Sequence, residues 1–93
     1  MKIVYLRGAL SDLIWFRRYY QTVFPQGRRK ALRQLEAVER LVVDNPDIGQ
    51  RNGTAREFPI PKTPFSIIYN VTPNIIEVVR IWDQRRNRDD LEI

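Results

Sequence analysis

REFPIPKTPFSIIYNV, Arg56 to Val71, places three prolines at the join between two runs that otherwise read as β-strands. β-branched and aromatic residues flank the stiff connection Pro61-Lys62-Thr63-Pro64, a pattern that predicts a hairpin. Proline has no N–H to give to a ladder, so Pro59 marks AREFPI as an edge strand or a bulge. Side chains alternate along a strand. Phe65, Ile67, Tyr69 and Val71 therefore share one face, and Ser66, Ile68 and Asn70 the other. A third run, NIIEVVRIW, follows a turn at Thr72-Pro73. Strict alternation puts Ile76, Val78, Arg80 and Trp82 on one of its faces and Ile75, Glu77, Val79 and Ile81 on the other. Both faces are largely apolar, whereas a sheet covered on one side shows a polar second face. The row with Arg80 and Trp82 thus predicts a cover. Either another protein supplies it, or the chain's own loop or C-terminus does, with Arg80 paired to a carboxylate.

Upstream, KIVYLR (Lys2 to Arg7) reads as a short strand bounded by Gly8. From Ala9 the period changes, and Leu10, Leu13, Ile14, Tyr20, Val23 and Phe24 recur at helical spacing. Pro25 and Gly27 interrupt this helix and open a second. Ala31, Leu32, Leu35, Val38, Leu41 and Val42 form its apolar stripe, and Asn45-Pro46 ends it. A joint this short predicts an αα-hairpin. DNPDIGQRNGT has the composition of a loop. The expected fold is α+β: an N-terminal strand, an αα-hairpin, then an antiparallel three-strand meander, β-α-α-β-β-β.

Ninety-three residues leave room for one domain, residues 1–93. The chain has no histidine or cysteine, which excludes imidazole acid–base steps, thiolate chemistry, disulfides and Cys/His metal sites. Asp89-Asp90 alone lacks the further oxygen ligands of a calcium or magnesium site. No phosphate-cradling glycine loop or nucleophile elbow is present, so neither cofactor nor metal is expected. No apolar run approaches the ~18 residues of a membrane span, and the N-terminus is unlike a signal peptide, so a cytoplasmic protein is expected. The formal charge of +5 suggests an anionic partner, nucleic acid or acidic protein, or else simply a soluble basic domain. In the tail, DQRRNRDDLEI, Arg85, Arg86 and Arg88 lie among Asp83, Asp89 and Asp90. They form either a phosphate- or acid-facing patch or a self-compensating charge run.

The element order, DLIWFRRYY, REFPIPKTPFSIIYNV and EVVRIWDQRRN together resemble the RelE/ParE superfamily of bacterial type II toxins, over residues 2 to 88. The resemblance implies a small toxin held inactive by a cognate antitoxin whose acidic or amphipathic segment wraps over helices and sheet. RelE-like members are ribosome-dependent mRNA endoribonucleases. They need cations on the scissile phosphate and a nearby proton donor or acceptor; here Arg56, Lys62, Tyr69, Arg80 and Arg85 would have to serve. ParE-like members instead inhibit DNA gyrase. Against the nuclease pattern, Glu57 and Pro59 stand where basic residues are expected, Ser66 where an arginine is, and Leu91 near the expected terminal Tyr or His. Arg85 alone matches. The PIPKTPF loop and Arg80 look ParE-like, although Asp83 stands where a histidine often follows. The resemblance thus implies a gyrase-binding toxin with Phe65, Tyr69, Arg80, Trp82, Arg85, Arg86 and Arg88 toward antitoxin or target. The alternatives are an interferase acting on ribosome-bound mRNA and a non-toxic basic RNA-binding or adaptor domain.

Overall fold

Ile3, Val4 and Tyr5 favour a pleated backbone and form β1 (Lys2–Tyr5), from which the chain turns directly into α1 (Arg7–Arg18). The computed structural model describes residues 1–91. α1 does not end cleanly. Tyr19–Val23 widens into a π-turn in which the Phe24 N–H donates to the Tyr19 carbonyl, five residues back. Pro25 cannot donate and starts a short 3-10 turn, Pro25–Gly27, before α2 (Arg28–Asp44). α2 stops at Asn45, whose N–H still reaches the Leu41 carbonyl, and Pro46 follows.

The segment expected to be only a loop contains a 3-10 turn, Pro46–Ile48, and a short strand, β2 (Gln50–Asn52). β3 (Ala55–Pro59), β4 (Phe65–Val71) and β5 (Ile75–Asp83) form the meander. The five strands lie in the order β1-β5-β4-β3-β2, with β1 parallel to β5 and the other pairs antiparallel. β3 is therefore not the edge. β2 pairs beside it at Ala55 to Glu57 but stops short of Pro59, so the proline occupies the one part of β3 with no strand on its outer side.

The helical hairpin covers one face of the sheet, and the core there joins Ala9, Phe16, Leu35, Val38 and Val42 to Phe65, Ile67, Tyr69, Ile76, Val78 and Ile81. The expected alternation along β5 fails midway. Ile68 pairs with Arg80 and Tyr69 with Val78, leaving Val79 without a partner as a β-bulge. The extra residue flips every side chain beyond it. Ile76 and Val78 face the helices, but so does Ile81, while Val79 and Trp82 join Ile68 and Ala55 in a second cluster. Part of the α1 stripe also departs from expectation: Leu10, Ile14, Val23 and Phe24 are exposed at 50%, 62%, 62% and 48%. Only Ala9 and Phe16 of α1 are fully buried, because the helix meets the sheet along one narrow edge of its surface.

Candidate functional site

The second cluster lies where a partner protein was the alternative cover. Among the described residues the chain covers it itself. Leu91 packs against the cluster formed by Ala55, Ile68 and Trp82, and Trp82 is 0% exposed. The Arg80 and Arg86 guanidinium carbons stand 5.6 and 4.8 Å from the Trp82 ring centroid, within cation–π range. The indole Nε1 is buried and finds no hydrogen-bond partner among the described residues. Three of the expected contact residues lie beneath the surface in the structure. Phe65, Tyr69 and Trp82 are all fully buried.

Arg80, Arg85 and Arg88 of the expected contact set, and Arg56 of the expected nuclease set, each have a carboxylate, whereas Arg86 lies over the Trp82 ring. The Arg80 Nε donates to Asp12 Oδ2 at 2.6 Å and its Nη2 to Oδ1 at 3.1 Å. Arg85 reaches Asp83 through Nε and Nη2 at 2.9 and 2.8 Å. It also donates to the Tyr19 hydroxyl at 3.1 Å and lies 4.9 Å from the centroid of that ring. Hydrogen bonds from Arg85 hold the Asp83 carboxyl below its ordinary pKa and raise that of the guanidinium. Arg88 forms a fork on Glu57, 2.8 Å to Oε1 and 2.7 Å to Oε2, and the Ser66 hydroxyl donates to Oε2 at 2.6 Å. Those bonds, Arg88 first, hold Glu57 below the usual carboxylate range against the opposing effect of burial. Arg56 donates to the Asp47 and Gly49 carbonyls at 3.1 and 2.9 Å and lies 3.4 Å from the Asp47 carboxylate.

Tyr69 serves the same loop. Its hydroxyl donates to the Pro46 carbonyl at 2.8 Å and accepts the Gly49 N–H at 2.9 Å, and burial raises its pKa. Lys62 stands apart at the β3–β4 turn, exposed, with a positive φ of 63°. The five residues a nuclease would use therefore do not converge. Arg56 and Tyr69 bind the 46–49 turn, Arg80 binds α1, Arg85 binds the π-turn, and Lys62 caps a hairpin. A polar cleft of about 440 Å³ does open at the sheet end, lined by Gln50, Arg51, Asn52, Glu57, Pro59, Gln84 and Arg88, and none of the five lines it.

The tail is built in the same way. Among the described residues it includes a 3-10 turn, Arg88–Asp90, with Asn87 Oδ1 accepting the Asp89 N–H. Sequence reasoning missed Asp12 and Glu57 as the partners of Arg80 and Arg88, which stand 68 and 31 residues away. It also missed the charge asymmetry that results. Arg7, Arg17, Arg18, Arg28, Arg29, Lys30 and Arg33 are exposed on the helical hairpin, and none forms an ion pair among the described residues. Unpaired cations thus concentrate on the helices, while Arg56, Arg80, Arg85 and Arg88 of the sheet and tail are paired with carboxylates.

A sheet of this order with an αα-hairpin on one face is the fold of a toxin–antitoxin structure, described as the chromosomal ParDE TA system from P. aeruginosa. The chain superimposes on it with a TM-score of 0.66 at 23% identity, covering 87% of this chain and 92% of that one. The family model for the ParE toxin of the type II toxin–antitoxin system parDE matches residues 3–88, and the chain belongs to that family. No curated protein matches the sequence. No helix among the described residues is long and apolar enough to cross a membrane.

Proposed function

We propose that the protein arrests growth in the cytoplasm by binding DNA gyrase, without cutting RNA, and that a cognate antitoxin neutralises it. One observation carries the choice between binding and cleavage: the three arginines a nuclease would use, Arg56, Arg80 and Arg85, are each paired with a carboxylate. An interferase must present cations to a scissile phosphate in a preorganised geometry. Arg56, Arg80 and Arg85 instead have their donors directed at Asp47, Asp12 and Asp83. The Tyr69 hydroxyl, the expected proton-transfer group, is buried and engaged by loop backbone. Membership of the ParE toxin family supports the same reading.

Two assays on the purified protein test it. Gyrase supercoiling of relaxed plasmid should fall with added protein and recover when the product of the neighbouring reading frame is present. Programmed ribosomes should show no new mRNA cleavage. Codon-positioned cuts that vanish in Arg85→Ala would transfer the protein to the interferases, and inactivity in both assays would favour a non-toxic adaptor.

A further inference from the structure

β2 and β3 set two arginines side by side. Arg51 and Arg56 are directly opposite in the antiparallel register, and the row continues into Tyr69 of β4, which packs toward the helices. Residues so opposed project from the same face with Cβ atoms about 4.5–5.5 Å apart, and like charges in that position repel. A cleft of about 270 Å³ opens over the pair, lined by Asp47, Arg51, Thr54, Arg56 and Val71. As an edge residue, Arg51 borders the larger polar cleft too. One carboxylate faces the two guanidinium groups. Asp47 lies 3.4 Å from Arg56 Nη2 and is 91% exposed, whereas Arg51 forms no ion pair among the described residues. Arg56 is fixed from the loop side, its Nη1 donating to the Asp47 and Gly49 carbonyls. The cleft thus carries one uncompensated positive charge on a rigid frame.

From this we infer that the cleft over the β2–β3 hairpin binds a small phosphomonoester, its phosphoryl oxygens bridging Arg51 and Arg56 with the Thr54 hydroxyl beside them. Charge sets the sign of the ligand, since an anion between two guanidinium groups turns their repulsion into two attractions. Geometry sets its class. A carboxylate offers two oxygens in one plane, enough for one guanidinium fork. A phosphoryl group offers three in a tetrahedral array and can meet two forks and a hydroxyl together. Size sets the rest: the cleft is smaller than the roughly 300–1,000 Å³ of sites that enclose drug-sized ligands, so it suits a phosphate with a sugar-sized appendage. Val71, 43% exposed, gives that appendage an apolar wall. A nucleic-acid strand needs successive cations along its backbone, and the other lining residues here are Asp47, Thr54 and Val71. The site binds without cutting, because the Tyr69 hydroxyl is engaged by Pro46 and Gly49. The inference concerns this cleft alone and does not depend on whether gyrase is the target.

Ribose 5-phosphate is the probe, with inorganic phosphate, ribose and acetate as controls at matched ionic strength. Titrated into the full chain, it should shift the Gly53 and Thr54 amide resonances and the Arg51 Nε–H resonance saturably. At saturation it should raise the unfolding midpoint by about 4 °C or more. Inorganic phosphate should act at the same resonances more weakly, and ribose and acetate should not. Arg51→Gln should weaken binding about tenfold or more. Its unfolding midpoint without ligand should stay level or rise, because a like-charge contact is gone. Arg51→Lys keeps the charge but not the fork and should also weaken binding. Acetate acting equally would reduce the cleft to diffuse charge attraction and overturn the inference, as would indifference to Arg51→Gln. Equal affinity for inorganic phosphate would show that Val71 contributes nothing and would replace the phosphomonoester by the free anion. A short oligothymidylate that binds as tightly, and perturbs the arginines of the helical hairpin as well, would make the cleft part of a nucleic-acid surface and overturn it too. A gyrase assay that fails leaves these titrations unaffected, so the two readings fail separately.

Discussion

Asp12 of α1 serves two partners on β5 at once: it holds the Arg80 guanidinium in a fork and accepts the Ile81 N–H at 3.0 Å. The second bond exists because β1 is short. Its pairing with β5 ends at Tyr5 and Val78, so the N–H of Ile81 would have no strand to meet. The carboxylate takes the place of the missing strand and ties helix to sheet just past the bulge at Val79.

The two roles separate on mutation. Asp12→Asn keeps an oxygen for the Ile81 N–H and loses the charge, so it should cost about 1–2 kcal/mol. Asp12→Ala removes both and leaves a part-buried backbone donor unsatisfied, and should cost about 2–4 kcal/mol. Urea unfolding at neutral pH measures both. Equal losses would mean that the backbone bond contributes nothing and that Asp12 acts through charge alone.

Glu57 and Asp83 tie stability to pH in one direction. Both are held below their ordinary values, 4.5 and 3.8, chiefly by hydrogen bonds from Arg88 and Arg85. Where the folded value is the lower one, the unfolded chain takes up the proton first. The stabilisation is therefore complete above the ordinary value and disappears as pH falls through the folded one. The urea midpoint should stay level from neutrality down to about pH 5 and then decline. Glu57→Gln should lower it at neutral pH but flatten the decline, so the two curves converge in acid. Parallel curves would show that the Arg88 fork contributes no acid sensitivity.

The Tyr69 latch predicts an unusual rescue. Tyr69→Phe deprives both the Gly49 N–H and the Pro46 carbonyl of their partner, at about 1–3 kcal/mol. Gly49 is required by space rather than by φ. Its backbone is ordinary extended chain at −69°, but a Cβ there would stand 2.6 Å from the Tyr69 hydroxyl and 3.0 Å from the Arg56 Cβ. Gly49→Ala should therefore destabilise strongly alone and less in a Tyr69→Phe background, because part of the clash is gone. Additive losses in a double-mutant cycle would refute that steric account.

How much of this was legible follows from the range of each interaction. Hairpin, meander and helical pair came from local periodicity and proline placement, and the family resemblance from residues in order. The bulge at Val79 left no local signal, since EVVRIW alternates without a break, and only its pairing with Ile68 and Tyr69 shows the slip. That slip put Trp82 and Ile81 on faces opposite to those of strict alternation. β2 was too short and polar to register as a strand. The compensated sheet end was illegible for another reason. Local spacing suggested Asp89 and Asp90 as balances for the tail arginines, whereas Arg88 finds Glu57 on β3. Conversely, the stripe on α1 was legible as apolar but not as exposed, because periodicity does not say which arc of a helix meets the sheet.

The tail that covers Trp82 gives the last prediction. Leu91 contributes apolar contact to the second cluster, Arg86 stacks on the indole, and the Arg88–Glu57 fork pins the strap between them to the hairpin. If this strap is what keeps the ring from solvent, loosening it should expose Trp82 without unfolding the sheet, since β5 stays paired with β4 as far as Asp83 and with β1 up to Val78. Trp15→Phe isolates the Trp82 signal. In that background Arg88→Gln together with Leu91→Ser should raise the acrylamide quenching of Trp82 severalfold. The unfolding free energy should fall by about 1–3 kcal/mol, the sum expected for one exposed ion pair and a partly buried leucine. Arg86→Gln should act more weakly, because a single exposed cation–π contact contributes about 0.5–1 kcal/mol. Quenching that stays at the wild-type level in the double variant would show that the strands alone bury the ring and that the tail merely rests on it. A collapsed unfolding transition would instead make the strap part of the folding core, a role for Leu91 that its half-exposed position argues against.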